Sequence, residues 1–334
     1  MIISPRIVLL GGILCASAAG YLRTGSTPLE DLESAVTFVR DTLLSPSCEL
    51  WGDDCKKDDD CCGDLKCGNN DECKGDLSKF KIDIDFAGSY DNDFEDMVKD
   101  AMDRWEDVIK YVPCSVKNKK TLEIKVKLKN LSAGILGYAG PTESVKCGDK
   151  IIPIKGEMTI NKRHLDDEDV LFETILHEAG HILGIGTIST WGTECSKCFR
   201  NGSGKLYKDN CPNAHKAYRK LVGKSVKDKV NIIEEDDCGH WSEDVFGNEL
   251  MTPFSNGKAE PMSKLTVEVL ADIGYIVNPK KADSYSLKDN KAVDPARTKL
   301  VDRRGDILKG AVHTVYNPDG SVEGRSIDGV PIYV

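Results

Sequence analysis

Residues 174–186 read TILHEAGHILGIG, a helical pattern with two histidines four positions apart. Residues i and i+4 share one face of a helix, so His177 and His181 can each offer an imidazole nitrogen to a single zinc ion. Glu178 sits beside that face, where it can take a proton from a water molecule that the metal activates. The surrounding apolar residues predict a buried helix from Asp167 to Leu183. Buried histidines need either a metal or ordinary hydrogen bonds, and this motif favours the metal.

A third protein ligand is expected, because a catalytic zinc usually takes three. In the metzincin pattern H-E-x-x-H-x-x-G-x-x-H, Gly184 occupies the glycine position, but Thr187 stands where the third histidine is expected. Three of the remaining histidines are interpreted as ordinary surface or hydrogen-bonded residues: His164, His215 and His313. That leaves His240, within the sequence CGHWSEDVFGNELMTP at residues 238–253.

This arrangement resembles the leishmanolysin family of metzincins, in which a long insertion precedes the third histidine and a methionine turn follows it. The resemblance covers roughly residues 80–285, including a closing helix at 265–275. It implies an α+β fold in which a mixed sheet packs on the active-site helix. The site residues that it implies are zinc ligands, a general base and a methionine beneath the metal: His177, His181 and His240, then Glu178, then Met251.

Glu268 is the rival candidate for the third ligand. Glu268 and Asp272 have the E-x-x-x-D spacing of gluzincins, in which a glutamate completes the zinc site. Gly184 and the turn at Met251 belong instead to the metzincin layout, and Glu268 suits the exposed face of a helix. We therefore expect His240 to lie with the other two histidines.

Six cysteines fall within residues 48–73, with the spacing C-x6-C-x5-C-C-x4-C-x5-C. A segment this short and polar cannot bury a core, so disulfides must stabilise it, and spacing alone does not choose among the pairings. The segment at 48–75 resembles the inhibitor cystine knot, or knottin, family. The resemblance implies three disulfides: Cys48–Cys62, Cys55–Cys67 and Cys61–Cys73. Its predicted role is either to bind a surface or protein target or to act as a spacer.

Four further cysteines lie in the insertion before His240: Cys195, Cys198, Cys211 and Cys238. They have the composition of a second zinc site, but an oxidising compartment favours two disulfides. Their pairing is not assigned by the sequence. Cys114 and Cys147 are expected to form another disulfide.

The N-terminus has the features of a secretory signal. A single basic residue precedes an apolar run, and Ala16-Ser17-Ala18 matches the small-x-small cleavage pattern, which predicts a signal peptide at residues 1–18. Residues 19–47 are predicted to be a leader or a short pro-segment. No later segment has the length and hydropathy of a transmembrane helix. A net charge of −10 argues against nucleic acid as a partner. The signal sequence predicts a secreted, extracellular protein.

The peptidase domain is predicted to begin near Phe80. Alternating apolar residues predict strands at 80–86 and 122–128, and helical spacing predicts a helix at 94–112. Glycines and prolines interrupt residues 131–160, which suggests short strands at 151–154 and 157–160 with Pro153 at a sheet edge. The C-terminal extension, residues 286–334, is expected to form a hairpin or a partly ordered tail and has no assigned function.

These observations predict a secreted zinc-dependent endopeptidase that acts on protein or peptide substrates. From the resemblance, the substrate is expected to pair with an edge strand between about Leu136 and Ile154. The alternative is a non-proteolytic, zinc-containing binding protein whose knottin-like module engages a surface or a protease. In a third interpretation that module is the effector, and the peptidase domain is subsidiary to it.

Overall fold

The computed structural model describes only part of the chain. The described residues are 54–61, 66–74, 80–112, 121–148, 150–188, 205–206, 210–223, 232–233, 238–255, 259–287, 301–302, 307–327 and 330–331. All of them belong to one compact unit, Glu49–Val334. The predicted signal peptide and leader, residues 1–47, lie outside this part, as do Cys48, Cys62, Cys114, Cys195 and Cys198.

The described residues contain runs of strands separated by helices. The strands are β1 (Lys66–Cys67), β2 (Cys73–Lys74), β3 (Lys81–Phe86), β4 (Ile109–Tyr111), β5 (Thr121–Lys129), β6 (Gly137–Cys147), β7 (Lys150–Asn161), β8 (Phe254–Ser255), β9 (Ile276–Val277), β10 (Val301–Asp302), β11 (Val312–Tyr316), β12 (Val322–Ile327) and β13 (Val330–Pro331). The α-helices are α1 (Asn92–Val108), α2 (Glu168–Ile182), α3 (Pro212–Val222), α4 (Glu243–Phe246) and α5 (Lys264–Ile273). Within these residues, no helix is both long enough and apolar enough to cross a membrane.

A seven-stranded mixed sheet carries the fold, in the order β13-β12-β11-β6-β7-β5-β3. Strands β3, β5 and β7 are parallel, β6 is antiparallel to β7, and β11 is parallel to β6. One face is apolar: Leu122, Ile124 and Val126 of β5 share a buried core with the apolar sides of α1 and α2. The predicted α+β class, a mixed sheet packed on the histidine-bearing helix, therefore agrees with the structure.

Helix α2 begins and ends close to its predicted limits. The Asp167 carboxylate accepts a hydrogen bond from the Val170 backbone N–H at 3.3 Å and so caps the first turn. The predicted helix at 94–112 is too long at its C-terminal end, because α1 stops at Val108. The next three residues form β4, which pairs antiparallel with β9.

The prediction for residues 131–160 is wrong about the length of the strands. These residues form two long paired strands, β6 and β7, rather than short strands. Pro153 lies in β7 before the pairing of that strand with β5 begins at Lys155, so at this position β7 has a paired strand only on the β6 side. It pairs with Ser144 where the β6–β7 register shifts, and such an irregularity tolerates a residue without an N–H.

The cysteine-rich segment contains two of the three disulfides that its resemblance implied, Cys55–Cys67 and Cys61–Cys73. The third pairing, Cys48–Cys62, lies outside the described residues. The buried cysteines of the segment pack with Tyr111 of β4 and Ile276 of β9. Lys280 and Glu72 add an ion pair at 2.8 Å, so the segment is attached to the ribbon of β4 and β9.

The C-terminal extension forms a hairpin, which was one of its two predicted forms. Strands β11 and β12 are antiparallel, and their connection is closed by Asn317 N–H donating to the Ser321 carbonyl at 2.8 Å. β11 also adds to the central sheet beside β6. The strand that was expected to offer a free edge to substrate therefore has a partner on each side.

Gly156 of β7 permits close packing of α2 on the sheet, because a Cβ atom there would lie 2.3 Å from Ile182 Cγ2. We predict that Gly156→Ala lowers the free energy of unfolding by about 1–3 kcal/mol through overpacking. The measurement is the urea midpoint with disulfides intact. Gly134→Ala is the matched control, since a Cβ atom there would meet nothing within 4 Å. Equal midpoints for the two variants would contradict this account of the packing.

Candidate metal centre

Helix α2 buries its three polar motif residues completely. His177, Glu178 and His181 have 0% exposed surface, within an apolar helix that contacts both α1 and the sheet. Trp105 of α1 contributes directly, since its indole N–H donates to the Leu176 carbonyl at 3.0 Å. The helix is thus held at the position of its first histidine.

Two glycines bring His240 to the helix. After α2 the chain turns through Gly184 and Gly186, whose φ angles of 110° and 78° strongly favour glycine. A Cβ atom on Gly186 would lie 2.2 Å from the Gly239 carbonyl oxygen, so the two backbones are in direct contact. Cys238, the next residue back, is disulfide-bonded and has a φ of 59°. This constrained backbone positions His240, which is also 0% exposed.

The three histidines converge through their Nε2 atoms. The distances are 3.1 Å between His177 and His181 and 3.2 Å from each of these to His240. The Nε2 atoms therefore form a nearly equilateral triangle inside the protein. His240 joins the cluster, as the sequence predicted, although 59 positions (240 − 181) separate it from His181.

The other ring nitrogens of two histidines define their tautomers. His177 Nδ1 lies 2.5 Å from the Leu250 carbonyl oxygen, and His181 Nδ1 lies 2.8 Å from the Ile185 carbonyl oxygen. A carbonyl only accepts, so each Nδ1 carries the hydrogen, and each Nε2 of the neutral ring presents a lone pair. Two lone pairs at 3.1 Å repel each other unless a cation lies between them. The group could therefore hold a metal ion.

Among the described residues, one other group has the proximity of a metal site: Cys55, Cys61 and Cys73. Its sulfur atoms form the Cys55–Cys67 and Cys61–Cys73 disulfides, so they are not thiolates that could bind a metal. Cys211 and Cys238 are also disulfide-bonded, so they are not thiolate ligands of a second zinc site. Cys147 is disulfide-bonded too, which agrees with a disulfide at this end of β6.

Met251 lies against α2 between the two helical histidines. A Cβ atom on Gly180 would lie 2.6 Å from Met251 Sδ, so a side chain larger than hydrogen would displace the methionine. The turn that carries Met251 also supplies the Leu250 carbonyl that accepts from His177. The backbone N–H and carbonyl of Met251 are both hydrogen-bonded, and the carbonyl accepts from Trp241 N–H at 2.9 Å.

Glu249 organises this turn, and the sequence analysis did not identify it. Its fully buried carboxylate accepts hydrogen bonds from Met251 N–H at 2.7 Å, Ser263 N–H at 3.0 Å and the Thr266 hydroxyl at 2.6 Å. Thr266 in turn accepts from the Trp241 indole at 2.8 Å. Burial raises the pKa of Glu249, and the three donors oppose that shift. The carboxylate of Glu249 thus connects two parts of the site. One is the turn whose carbonyl contacts His177, and the other is the segment of Trp241, which follows His240.

The rival third ligand lies elsewhere. Glu268 has its carboxylate 3.6 Å from Lys264 Nζ, and Asp272 accepts from the backbone N–H groups of Asn213 and Ala214 in the first turn of α3. Burial raises the pKa of Asp272 to about 6. The expectation that Glu268 lies on an exposed helix face is wrong, because it is only 6% exposed. It does not belong to the histidine group.

Thr187, which occupies the usual position of the third histidine, has a structural contact instead. Its hydroxyl donates to the His181 carbonyl at 2.7 Å and so satisfies a backbone group at the end of α2. The other histidines also lie outside the cluster, as predicted. His313, for example, is 2.8 Å from the Ser144 hydroxyl, and burial lowers its pKa.

Comparison with known proteins adds no family to this description. No protein-family model matches the chain, and a search of curated proteins finds no relative.

We predict that Glu249→Gln weakens metal binding about 10- to 100-fold, as loss of a supporting hydrogen bond around a metal site typically does. All three partners of Glu249 are donors, so the NH2 group of glutamine would face at least one of them. The measurement is titration of the metal-free protein with zinc against a competing chelator.

Asp244→Asn is the matched control for that experiment. It makes the same change of charge at an exposed position of the neighbouring helix α4, so its zinc affinity should equal that of the parent. If Glu249→Gln also leaves the affinity unchanged, Glu249 does not position the histidine cluster.

Proposed function

We propose that this chain is a zinc-dependent endopeptidase of the leishmanolysin-like type, acting outside the cell. The observation that carries the proposal is the buried triangle of three Nε2 atoms, two of which present lone pairs. Glu178, beside the first of these histidines, completes the set of groups that peptide hydrolysis requires.

The donor set favours zinc. Imidazole nitrogen suits zinc, and a tetrahedral ion with Zn–N distances near 2.0–2.1 Å separates its ligand atoms by about 3.3 Å. The Nε2 distances of 3.1–3.2 Å are close to that value. Three protein ligands leave a fourth position for water or substrate, which is the arrangement of catalytic rather than structural sites.

Glu178 would act as the general base. A Cβ atom on Gly137 would lie 3.0 Å from Glu178 Oε1, so this carboxylate faces the first residue of β6. Glycine at position 137 leaves room between the carboxylate and the strand. A peptide that pairs with the outer edge of β6 would therefore have its backbone beside Glu178.

The proposed reaction uses each residue in one role. His177, His181 and His240 would hold the zinc, and the carbonyls of Leu250 and Ile185 orient two of these rings. When bound, zinc supplies Lewis-acid activation of water and of the peptide carbonyl. Glu178 takes the proton of the attacking water and returns it to the leaving nitrogen. The buried surroundings of Glu178 strengthen its electrostatic effect on both transfers.

Several features support the leishmanolysin-like and secreted parts of the proposal. A long insertion separates the second and third histidines, a methionine packs on the helix at Gly180, and a closing helix, α5, follows. Disulfides occur in the cysteine-rich segment and beside His240, as is usual for proteins of oxidising compartments.

We predict that Glu178→Gln keeps one zinc per chain but lowers cleavage of an unfolded protein substrate by about 100-fold or more, because the general base is lost. The measurements are zinc content by elemental analysis and the initial rate of cleavage. Glu168→Gln is the control, an exposed position in the first turn of the same helix, and should cleave at the parental rate.

Cleavage that survives in Glu178→Gln would contradict the mechanism. A parent chain that binds zinc but cleaves no unfolded protein substrate would favour the alternative, a non-proteolytic binding protein.

A further inference from the structure

Strand β6 has an inner edge, paired with β7, and an outer edge. On the inner side the Leu136 carbonyl, just before the strand, accepts from Asn161 N–H at 2.8 Å. Backbone groups alternate along a strand, so the N–H and C=O groups of Gly137 and Ala139 point to the outer edge. That edge begins beside the Glu178 carboxylate, which lies next to Gly137.

The C-terminal extension lies along this outer edge. Ile307 forms a parallel bridge with Ala139, and Leu308 N–H donates to the Ala139 carbonyl at 2.7 Å. Farther along, residues 314–316 pair in parallel with residues 143–145. The extension therefore uses the outer edge of β6 at two places, and the first is two residues from Gly137.

The same extension also pairs with the chain that follows Met251. Strand β10 is antiparallel to β8, which begins three residues after Met251 (254 − 251). Only four residues separate Asp302 from Ile307, so these two contacts are at most about 18 Å apart. The extension thus joins the segment that follows Met251 to the strand that adjoins Glu178.

The four polar groups of the candidate site are buried. His177, Glu178, His181 and His240 each have 0% exposed surface. An extended peptide that pairs with β6 needs the outward backbone groups of Gly137 and Ala139, and Leu308 already uses the Ala139 carbonyl. A substrate and the extension would therefore compete for the same hydrogen bond.

We propose that the outer edge of β6 is a binding surface for an extended peptide and that the C-terminal extension of the same chain is its resident occupant, through residues 307–308 and 314–316. Substrate binds only after this segment is displaced, so the described state is self-inhibited. The identity of the competing peptide as a substrate rests on the proposed function, whereas its competition with residues 307–316 does not.

The experiment measures peptide binding without cleavage, in zinc-loaded full-length Glu178→Gln protein. The probe is a fluorescein-labelled synthetic peptide with the sequence of residues 307–317, ILKGAVHTVYN. Leu308→Pro removes the N–H that donates to Ala139. Lys309→Pro is the control at the next position. Lys309 is exposed, and its N–H has no hydrogen-bond acceptor among the described residues. We expect the probe to bind Leu308→Pro about tenfold or more tightly than either the control or the parent.

Equal affinities in all three proteins would overturn the proposal. A second measurement does not depend on the folding of Leu308→Pro: saturating probe added to the Glu178→Gln parent should increase amide hydrogen exchange in residues 307–316. Unchanged exchange with the probe bound would also overturn it.

Cleavage separates this inference from the proposed function. Leu308→Pro with Glu178 intact should cleave an unfolded protein about tenfold or more faster than Lys309→Pro. Tighter probe binding without Glu178-dependent cleavage would leave the binding surface standing and reject the peptidase. Glu178-dependent cleavage at equal rates, with equal probe affinities, would keep the peptidase and reject the occupant.

Discussion

The candidate site depends on three buried imidazole nitrogens that meet within 3.2 Å of one another. Backbone carbonyls fix the tautomers of His177 and His181, so their lone pairs point at each other at 3.1 Å, and His240 is 3.2 Å from both. Without a cation this geometry is costly in an interior that excludes water. A metal ion held by the three rings would remove this cost, and the group could hold one.

Much of the surrounding structure serves to keep the cluster together. Gly186 and Gly239 let two backbones touch, which places His240 next to the end of α2. Glu249 gathers the N–H of Met251, the N–H of Ser263 and the Thr266 hydroxyl, and thereby fixes the turn whose Leu250 carbonyl orients His177. The energetic cost of burying the Glu249 carboxylate is offset by these three donors.

The sequence predicted the local parts of the site well, because they follow from helical spacing and turn chemistry. His177, Glu178 and His181 lie within one helix, and Asp167 marks its start. His240 could be found by exclusion among few histidines, together with the resemblance. Glu249 could not, because its role appears only when three distant donors meet. The long β6–β7 pair was also missed, since Pro141 and Pro153 suggested interruptions that a register shift accommodates.

The partner of β6 was equally beyond sequence reasoning. A pairing between residues 307–316 and a strand more than 160 positions earlier, as between Thr314 and Glu143, is a tertiary contact without a local signal. The hairpin of β11 and β12 was foreseeable from its Asn-Pro-Asp-Gly turn, but its place in the sheet was not. That place changes the interpretation of the extension from an unassigned tail to a segment that adjoins the candidate site.

The central claim is that His240, and not Glu268, completes a three-histidine metal site. The most direct test is zinc content and X-ray absorption of the full chain and of its His240→Ala and Glu268→Ala variants. The account predicts one zinc with three nitrogen ligands near 2.0–2.1 Å and no sulfur in the parent and in Glu268→Ala, and a marked loss of zinc in His240→Ala. Full zinc content in His240→Ala, or sulfur scattering near 2.3 Å, would contradict it.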